Sequence, residues 1–461
     1  MTARTARTDP ANCTGLDGCR RPLRVPRGSA EIAPSSGPCA PMPRRSPATP
    51  SQLPLGLAAG APARPLKTEG TAHKVAGLFA GIGGLERGLH RAGHETALLC
   101  ENDPAAMAVL RHRFADVPLH GDVCTLRELP DGVSLVVAGF PCQDLSQAGK
   151  TAGIAGARSG LVGEVFRLVE QHRTPWLLLE NVPFMLQLSS GRAMDVITSR
   201  LEELGYNWAY RVVDSRAFGL PQRRRRVYLV ASLHADPRPV LFSDEAGERA
   251  ERGDFRSVAC GFYWTEGVRG LGWAVDAVPT LKGGSSLGIP SAPAIVFPSG
   301  LIATPSLRDA ERLQGFPADW TRPAEQVARA SARWKLVGNA VTVKAAEWVG
   351  RRLRDPRTLR EFETEPITRV AKWPTAAWNI GNGRTAVAAS EFPVARKYQS
   401  LEAFLRYQPT PLSEKATAGF LSRAERGGLR FPPDFLQSLR AHLKKYAVSD
   451  EKPKRSTRRV A

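Results

Sequence analysis

Short apolar runs alternate with helix-like segments from residue 74 to residue 231, and this alternation limits the fold more than any other feature of the chain. Runs rich in β-branched and aliphatic residues predict strands, and the longer segments between them carry helical spacing. Because helices separate successive strands, we expect an α/β fold with a doubly wound, mostly parallel sheet. The predicted strands are 75–79, 96–100, 133–138, 176–179 and 226–231, and the predicted helices are 85–92, 104–114, 161–171 and 192–204.

The composition favours a nucleic-acid partner. The chain of 461 residues has a formal net charge of +20 and a pI near 10.2, and Lys and Arg in such excess bind phosphates. Seven cysteines without a Cys-x-x-Cys pair argue against a disulfide framework and against structural zinc, so we expect no metal. The sequence contains neither a run of about 18 apolar residues nor a secretory signal pattern, which predicts a cytoplasmic protein with no membrane partner.

Shifts in composition divide the chain into five predicted segments. The first is basic, holds 12 of the 37 prolines and is expected to be disordered. The second carries the alternating pattern, the third is irregular and rich in Gly, Pro and Ser, and the fourth returns to helices. The fifth ends in a Lys- and Arg-rich stretch, and its Trp373 and Trp378 are expected to be core or docking anchors. The five segments are 1–72, 73–233, 234–305, 306–355 and 356–461.

One cysteine follows the predicted strand 133–138, in the run Gly-Phe-Pro-Cys-Gln-Asp-Leu-Ser at 139–146. This position sets the Cys142 thiol at the carboxyl end of a strand, where open α/β sheets bind their ligands. A Pro-Cys pair by itself fits a small, inert, buried cysteine equally well.

Four further motifs follow one another along the chain: Phe-Ala-Gly-Ile-Gly-Gly-Leu at 79–85, Glu-Asn-Val at 180–182, Gln-Arg-Arg-Arg-Arg at 222–226 and Gly-Asn-Ala-Val at 338–341. Together with the Pro-Cys run, they make residues 74–352 resemble the DNA (cytosine-5)-methyltransferase family in its bacterial restriction-modification form. The resemblance implies a Rossmann-like methyltransferase fold, S-adenosylmethionine as cofactor and double-stranded DNA as partner. It also implies a monomer that methylates a specific DNA sequence and protects it from a cognate restriction endonuclease.

A glycine-rich turn between a strand and a helix lets backbone N–H groups approach a ligand, and dinucleotide binding is its commonest other use. The Phe-x-Gly-x-Gly-Gly spacing resembles that of S-adenosylmethionine enzymes. By this resemblance Phe79 lies against the adenine, Glu101 accepts the ribose hydroxyls and Asp122 binds the adenine amino group. If the resemblance is set aside, Glu101 also fits an acidic residue at the start of a helix. The predicted cofactor-binding residues are Phe79, Gly81, Gly83, Gly84, Leu85, Glu101, Asp122, Pro141 and Asn339.

The predicted chemistry follows from the poor nucleophilicity of cytosine carbon 5. A thiolate that adds at carbon 6 supplies electrons to the ring, and Cys142 is the predicted nucleophile. Glu180 is predicted to protonate nitrogen 3, with its pKa raised by burial, and a helix cap or a surface acid is the alternative. The resemblance assigns the exocyclic oxygen of the base to Arg226 and the support of the site to Arg224.

A base inside a duplex cannot reach this thiol, so the target nucleotide is expected to rotate out of the helix. The glycine-rich segment 143–160 is predicted to close over it as a lid, with Gln143 and Ser146 as substrate contacts. By resemblance, residues 234–305 form the target-recognition region that reads the DNA sequence.

Three alternatives stay open. A tRNA methyltransferase shares the catalytic plan, although that branch generally has a smaller insert and a distinct motif beside it. A catalytically inactive reader would not need Cys142, Glu180 and Arg226 together. A non-enzymatic DNA-binding protein would explain the charge but not the glycine turn with its spaced acids.

Overall fold

The computed structural model describes residues 71–141, 160–251, 253–268, 270–284, 292–368 and 372–449. Almost all of the segment 1–72, the predicted nucleophile Cys142, the lid contacts Gln143 and Ser146, and the basic end of the chain lie outside the described residues.

The first strands form a parallel sheet, as the alternating pattern predicts. Their bounds are β1 (Lys74–Leu78), β2 (Glu95–Cys100), β3 (Leu119–His120), β4 (Leu135–Ala138) and β5 (Trp176–Asn181). They pair in parallel in the order β3-β2-β1-β4-β5. Their register aligns Leu78 with Cys100 and Ala138 with Leu179, so these strands reach the same edge of the sheet.

Beyond β5 the sheet continues with antiparallel strands. These are β6 (Asn207–Asp214), β8 (Arg225–Ser232), β14 (Thr364–Pro366), β15 (Ala376–Asn379) and β16 (Thr385–Val387). Strand β8 lies between β5 and β6, and β15, β16 and β14 follow β6 to complete ten strands. The C-terminal segment therefore completes the central sheet, and Trp373 is buried there against Trp208 and Tyr210.

Helices cover both faces of this sheet, which confirms the doubly wound arrangement. The helices are α1 (Gly84–Arg91), α2 (Pro104–Arg113), α3 (Leu161–His172), α4 (Arg192–Glu203), α5 (Arg238–Phe242), α6 (Leu307–Leu313), α7 (Ala332–Asn339), α8 (Val343–Arg354), α9 (Leu401–Phe404), α10 (Glu414–Arg426) and α11 (Phe435–Ser449). Short 3₁₀ helices span Pro183–Leu186, Ser215–Phe218 and Arg322–Gln326. Helices α3 and α4 bury their apolar side chains on one face, and α1 and α8 bury theirs on the other.

Two glycines bring α1 and α8 together. A side chain at Gly84 would lie 2.7 Å from the carbonyl oxygen of Val341, and one at Gly88 would lie 2.5 Å from the Cβ of Ala346. Any larger residue would therefore push α8 away from the helix that follows the glycine-rich turn.

The region predicted to be irregular contains most of a small second sheet. Its strands are β9 (Cys260–Phe262), β10 (Ala274–Val275), β12 (Ala294–Val296), β13 (Ile302–Thr304) and β17 (Thr410–Pro411), in the antiparallel order β10-β9-β12-β13-β17. The C-terminal helices α10 and α11 pack on it, with the rings of Phe420 and Phe435 about 5 Å from Phe262. Strand β11 (Val278–Pro279) pairs with β7 (Gln222–Arg223) and connects this sheet to the Arg-rich motif.

Candidate active site

The site lies at the edge where the parallel strands end, since open α/β sheets bind ligands at their carboxyl ends. Phe79 follows β1, Glu101 follows β2 and Gly139 follows β4. Glu180 is the second-last residue of β5 beside them. The fold therefore brings the separate sequence motifs to one edge of the sheet.

The glycine-rich turn presents one open position and two packed ones. Gly81 has a φ of +57°, and no atom lies within 4 Å of the position that a side chain would take there. At Gly83 a side chain would meet the Phe114 ring at 2.4 Å, and Gly84 contacts Val341 as described. Phe79 also has a positive φ of +53°, which costs a non-glycine residue energy and marks a constrained backbone beside the site. Thus Gly81 faces open space, whereas Gly83 and Gly84 are needed for packing.

The predicted ribose ligand Glu101 is fixed by the backbone. Its Oε2 accepts a hydrogen bond from the Gly81 N–H at 2.7 Å, and its Oε1 accepts from Asn102 at 2.9 Å and Asp103 at 2.8 Å. A carboxylate offers about four acceptor positions, so one remains on Oε2. Asp122 is exposed and accepts from the Cys124 N–H through Oδ1 at 2.9 Å.

Trp320 supports the turn from a distant part of the chain, and the sequence motifs did not indicate this. Its indole N–H donates to the Ile82 carbonyl at 2.9 Å. The guanidinium groups of Arg87 and Arg113 lie 4.4 and 4.9 Å from the centre of its ring, a cation–π arrangement that holds the indole in place. The only local signal is an aromatic residue shortly after Gly-Phe-Pro at 315–317.

A second residue that the sequence reasoning missed is Glu86, in the first turn of α1. It is fully buried, and neither carboxyl oxygen accepts a hydrogen bond from another described residue. Burial raises its pKa to about 8, and the nearby Glu101 carboxylate adds to the shift. The absent side chain of Gly77 makes room for this carboxyl group.

The buried Glu180 forms an ion pair with the partly buried Arg226, with Glu180 Oε1 3.1 Å from Arg226 Nε. Burial raises the pKa of Glu180, and the positive charges of Arg226 and Arg224 oppose this shift. A side chain at Gly139 would lie 3.5 Å from Glu180 Oε2, so the carboxyl group stands directly beside the end of β4. The carboxyl group can therefore serve as a proton donor next to the segment that leads to Cys142.

Arg224 is buried and donates only to backbone carbonyls in the described chain. It reaches Leu281 at 3.0 Å, Gly338 at 3.2 Å and Ala340 at 2.6 Å. It thereby ties the Arg-rich motif to the loop after β11 and to the Gly-Asn-Ala-Val motif. This placement suits a supporting role for Arg224 rather than direct contact with a substrate.

Two amides fix the neighbouring loops. Gln222 is buried, donates to Leu313 at 2.9 Å and accepts from the Leu281 N–H at 3.0 Å. Asn181 donates to the Phe140 carbonyl at 3.1 Å and accepts from the Val182 N–H at 2.8 Å. Asn181 therefore holds the end of β5 against the residues that precede Cys142.

The other predicted site residues differ in exposure. Pro141 is exposed and Leu85 is buried in the interface with α8. Asn339 is exposed at the end of α7, and its amide lies against Gly283 in the loop after β11. The structure thus places Asn339 beside the predicted target-recognition region.

Among the residues that the structure describes, no cluster of His, Cys, Asp and Glu is arranged to hold a metal ion. In the same residues, no helix is long and apolar enough to cross a membrane.

Comparison with known proteins identifies the family. Among solved structures, the S. pombe Dnmt2 methyltransferase aligns with 62% of this chain and 99% of its own length, at a TM-score of 0.44 and 18% identity. The sequence model of the C-5 cytosine-specific DNA methylases matches residues 73–252. The Type II methyltransferase M.MspI of Moraxella sp. is 36% identical over 186 residues, which cover 39% of this chain and 44% of that protein. The Type II methyltransferase M2.BsuMI of Bacillus subtilis strain 168 is 48% identical over 380 residues, which cover 79% of this chain and 97% of that protein. The chain therefore belongs to the C-5 cytosine-specific DNA methylases, enzymes that methylate carbon 5 of cytosine in DNA.

Proposed function

We propose that this enzyme methylates a cytosine within a specific double-stranded DNA sequence, through a covalent bond between Cys142 and the base and with S-adenosylmethionine as methyl donor. The observation that carries the proposal is the ion pair between the buried Glu180 and Arg226 beside Gly139. Cys142 follows Gly139 by three residues in the sequence. Asn181 holds the intervening Phe140 by a hydrogen bond to its carbonyl group.

The described residues at the glycine turn fit S-adenosylmethionine. The space in front of Gly81 can admit a ligand next to the backbone, and the free acceptor position on Glu101 can take one ribose hydroxyl. The exposed Asp122 carboxylate can accept from an adenine amino group. When bound, S-adenosylmethionine supplies a methyl group activated by a positively charged sulfur. We assign Phe79, Glu101 and Asp122 to its nucleoside and the turn at Gly81 to its methionine part.

The chemistry that we assign to the chain's own residues begins with the Cys142 thiolate. It bonds to carbon 6 of the cytosine while Glu180 delivers a proton to nitrogen 3, so no net charge accumulates on the ring. Carbon 5 thereby becomes nucleophilic and can be methylated. Removal of the carbon 5 proton by a base then expels the Cys142 thiolate, and the nitrogen 3 proton returns to the Glu180 carboxylate, which restores the neutral aromatic ring and the starting acid.

The electrostatics of Glu180 suit a proton donor. Burial favours the neutral acid, and the Arg226 guanidinium stabilises the carboxylate that remains after proton transfer. We also assign to Arg226 the contact with the exocyclic oxygen of the base. For the base to reach these groups it must rotate out of the duplex, at a cost of a few kcal/mol.

The biological setting that we propose is a bacterial restriction-modification system, in which the enzyme acts as a monomer and protects DNA from a cognate endonuclease. The 48% identity to a Type II methyltransferase over 97% of its length supports this assignment. We assign sequence readout to residues 234–305, whose small sheet is joined to the Arg-rich motif through β7 and β11.

Bisulfite sequencing of DNA from cells that express the chain tests the reaction and the nucleophile together. The intact enzyme should protect cytosines in one sequence context, and Cys142→Ala, made at the same level, should protect none. Equal protection by both proteins would overturn the role of Cys142, and no protection by either would overturn the proposed activity.

A further inference from the structure

A basic cavity opens beside the candidate active site. It has a volume of about 660 Å³, and its wall holds Arg216, Arg223, Arg225 and Arg226 together with Glu248, Glu251 and Glu391. Glu251 pairs with Arg216 and Glu391 pairs with Arg225, so Arg223 is the arginine of this wall without an ion pair in the described chain. Arg226 is the partner of Glu180. The cavity therefore begins at the residues that we assign to the target base.

A second cavity, of about 460 Å³, adjoins the first because Arg216 lines both. Its wall holds three cations, Arg216, Arg249 and Arg396, and three acids, Glu248, Glu251 and Asp276. The Arg249 guanidinium lies 3.4 Å from the centre of the Tyr398 ring, and this cation–π contact holds the charge at the cavity wall.

A third cavity, of about 370 Å³, adjoins the second through Arg396. Its wall adds Lys344, Lys397 and two arginines of α1 and α8. Glu347 pairs with both of these arginines, Arg91 at 2.8 Å and Arg351 at 2.6 Å. Within the described part of the chain, Lys344, Arg396 and Lys397 form no ion pair. Three cations at the far end thus have no carboxylate partner there.

The three cavities together collect ten Arg and Lys side chains against five Asp and Glu. Like charges held this close repel one another, and the repulsion is strongest where burial removes water. Lys344 shows the effect: burial and the nearby charge of Arg91 lower its pKa. Five of the ten cations are paired with carboxylates, and an anion with regularly repeated charge would stabilise the five that form no ion pair in the described chain: Arg223, Arg249, Lys344, Arg396 and Lys397.

We infer that these three cavities form a track for the sugar–phosphate backbone of substrate DNA outside the methylated sequence. The inference rests on the double-stranded DNA substrate of the proposed function and extends its contact surface. Duplex DNA carries one negative charge per roughly 1.7 Å of its axis, so several phosphates can face the cations of the track that have no carboxylate partner. The track begins at Arg226, so a DNA backbone in the track would continue directly from the DNA at the reaction site.

The test compares a short duplex, of about one and a half helical turns, with a long duplex of about four turns, each centred on the cytosine mapped by bisulfite sequencing. The variant is Arg396→Gln with Lys397→Gln, because both side chains are exposed and form no ion pair in the described chain. The matched control is Arg111→Gln with Lys415→Gln, which removes the same charge from exposed positions outside the track. Affinity is measured over a range of salt concentrations.

For the long duplex we expect the variant's Kd to rise about 10-fold, and the slope of log affinity against log salt concentration to become shallower by about 1.8. The Kd and slope of the control should stay close to those of the unmodified enzyme. On the short duplex, variant, control and unmodified enzyme should bind and methylate alike. Equal losses on both duplexes, or no loss on the long one, would overturn the track. An unmodified enzyme that methylates neither duplex would instead refute the proposed function.

Discussion

The Glu180 carboxylate lies 3.1 Å from the guanidinium of Arg226, and both groups stand at the edge of the sheet where β4 and β5 end. Burial raises the pKa of the carboxyl group, while the arginine limits that rise and would stabilise the anion left after proton transfer. A raised pKa favours the protonated form of the carboxyl group, which is the form that can donate a proton to the base.

Glu180→Gln should lower kcat by about 100-fold or more, because an amide cannot deliver the proton that general acid catalysis needs. Binding of S-adenosylhomocysteine, measured by calorimetry, should stay unchanged, since the glycine turn and Glu101 keep their contacts. Glu170→Gln breaks an ion pair between α3 and α4 and serves as the control. A Glu180→Gln enzyme with the control's kcat would refute the proton-donor role.

Trp320→Phe should weaken binding of S-adenosylhomocysteine about five-fold, because the loss of one hydrogen bond of about 1 kcal/mol frees the Ile82 carbonyl while an aromatic ring is kept. We expect KM for S-adenosylmethionine to rise more than kcat falls. Trp264→Phe removes a similar indole N–H bond, to the Ala292 carbonyl at 2.8 Å in the small second sheet, and should leave cofactor binding intact. Equal affinities in the two variants would show that Trp320 does not position the turn.

Glu86→Gln should change how stability depends on pH. The pKa of Glu86 is about 8 in the folded chain and about 4.5 when exposed, so unfolding releases a proton between these values and stability falls as pH rises through that window. Glutamine carries no such proton. The variant should therefore gain about 1 to 3 kcal/mol relative to the unmodified enzyme at pH 8, and progressively less towards pH 5.

Thermal unfolding at pH 5.5 and pH 8 measures this difference, and Glu128→Gln, at an exposed position, is the control. A gap between Glu86→Gln and the unmodified enzyme that does not grow with pH would exclude a buried, protonated carboxyl group at this position.

The sequence predicted the parallel part of the fold well, because β1 to α2 and β4 to α4 have regular apolar spacing and clear turn residues. Asp103, for example, caps α2 by accepting from the Ala105 and Ala106 N–H groups, directly before Pro104. The strands β9 to β17 escaped prediction because they are two to four residues long, which is too short for periodicity to show. Their order depends on pairing between distant segments, such as β13 with β17.

The residues of the candidate site likewise fall into those that local sequence motifs predict and those that depend on long-range packing. Motifs at strand ends predicted Glu101 and Glu180, because parallel strands bring their carboxyl ends together. Trp320 contacts Ile82 across 238 positions of the chain, and no local pattern encodes such a contact. The burial of Arg224 among three carbonyl groups likewise depends on how α7 and the loop after β11 pack.

The proposed mechanism depends most on a bond between the sulfur of Cys142 and carbon 6 of cytosine. A duplex with 5-fluorocytosine at the mapped position tests it, because fluorine at carbon 5 blocks the final elimination and traps the adduct. With S-adenosylmethionine present, we expect a complex that survives denaturation and a cross-linked peptide that contains Cys142. A denaturation-sensitive complex, formed by an enzyme that still methylates the unmodified duplex, would contradict the covalent mechanism.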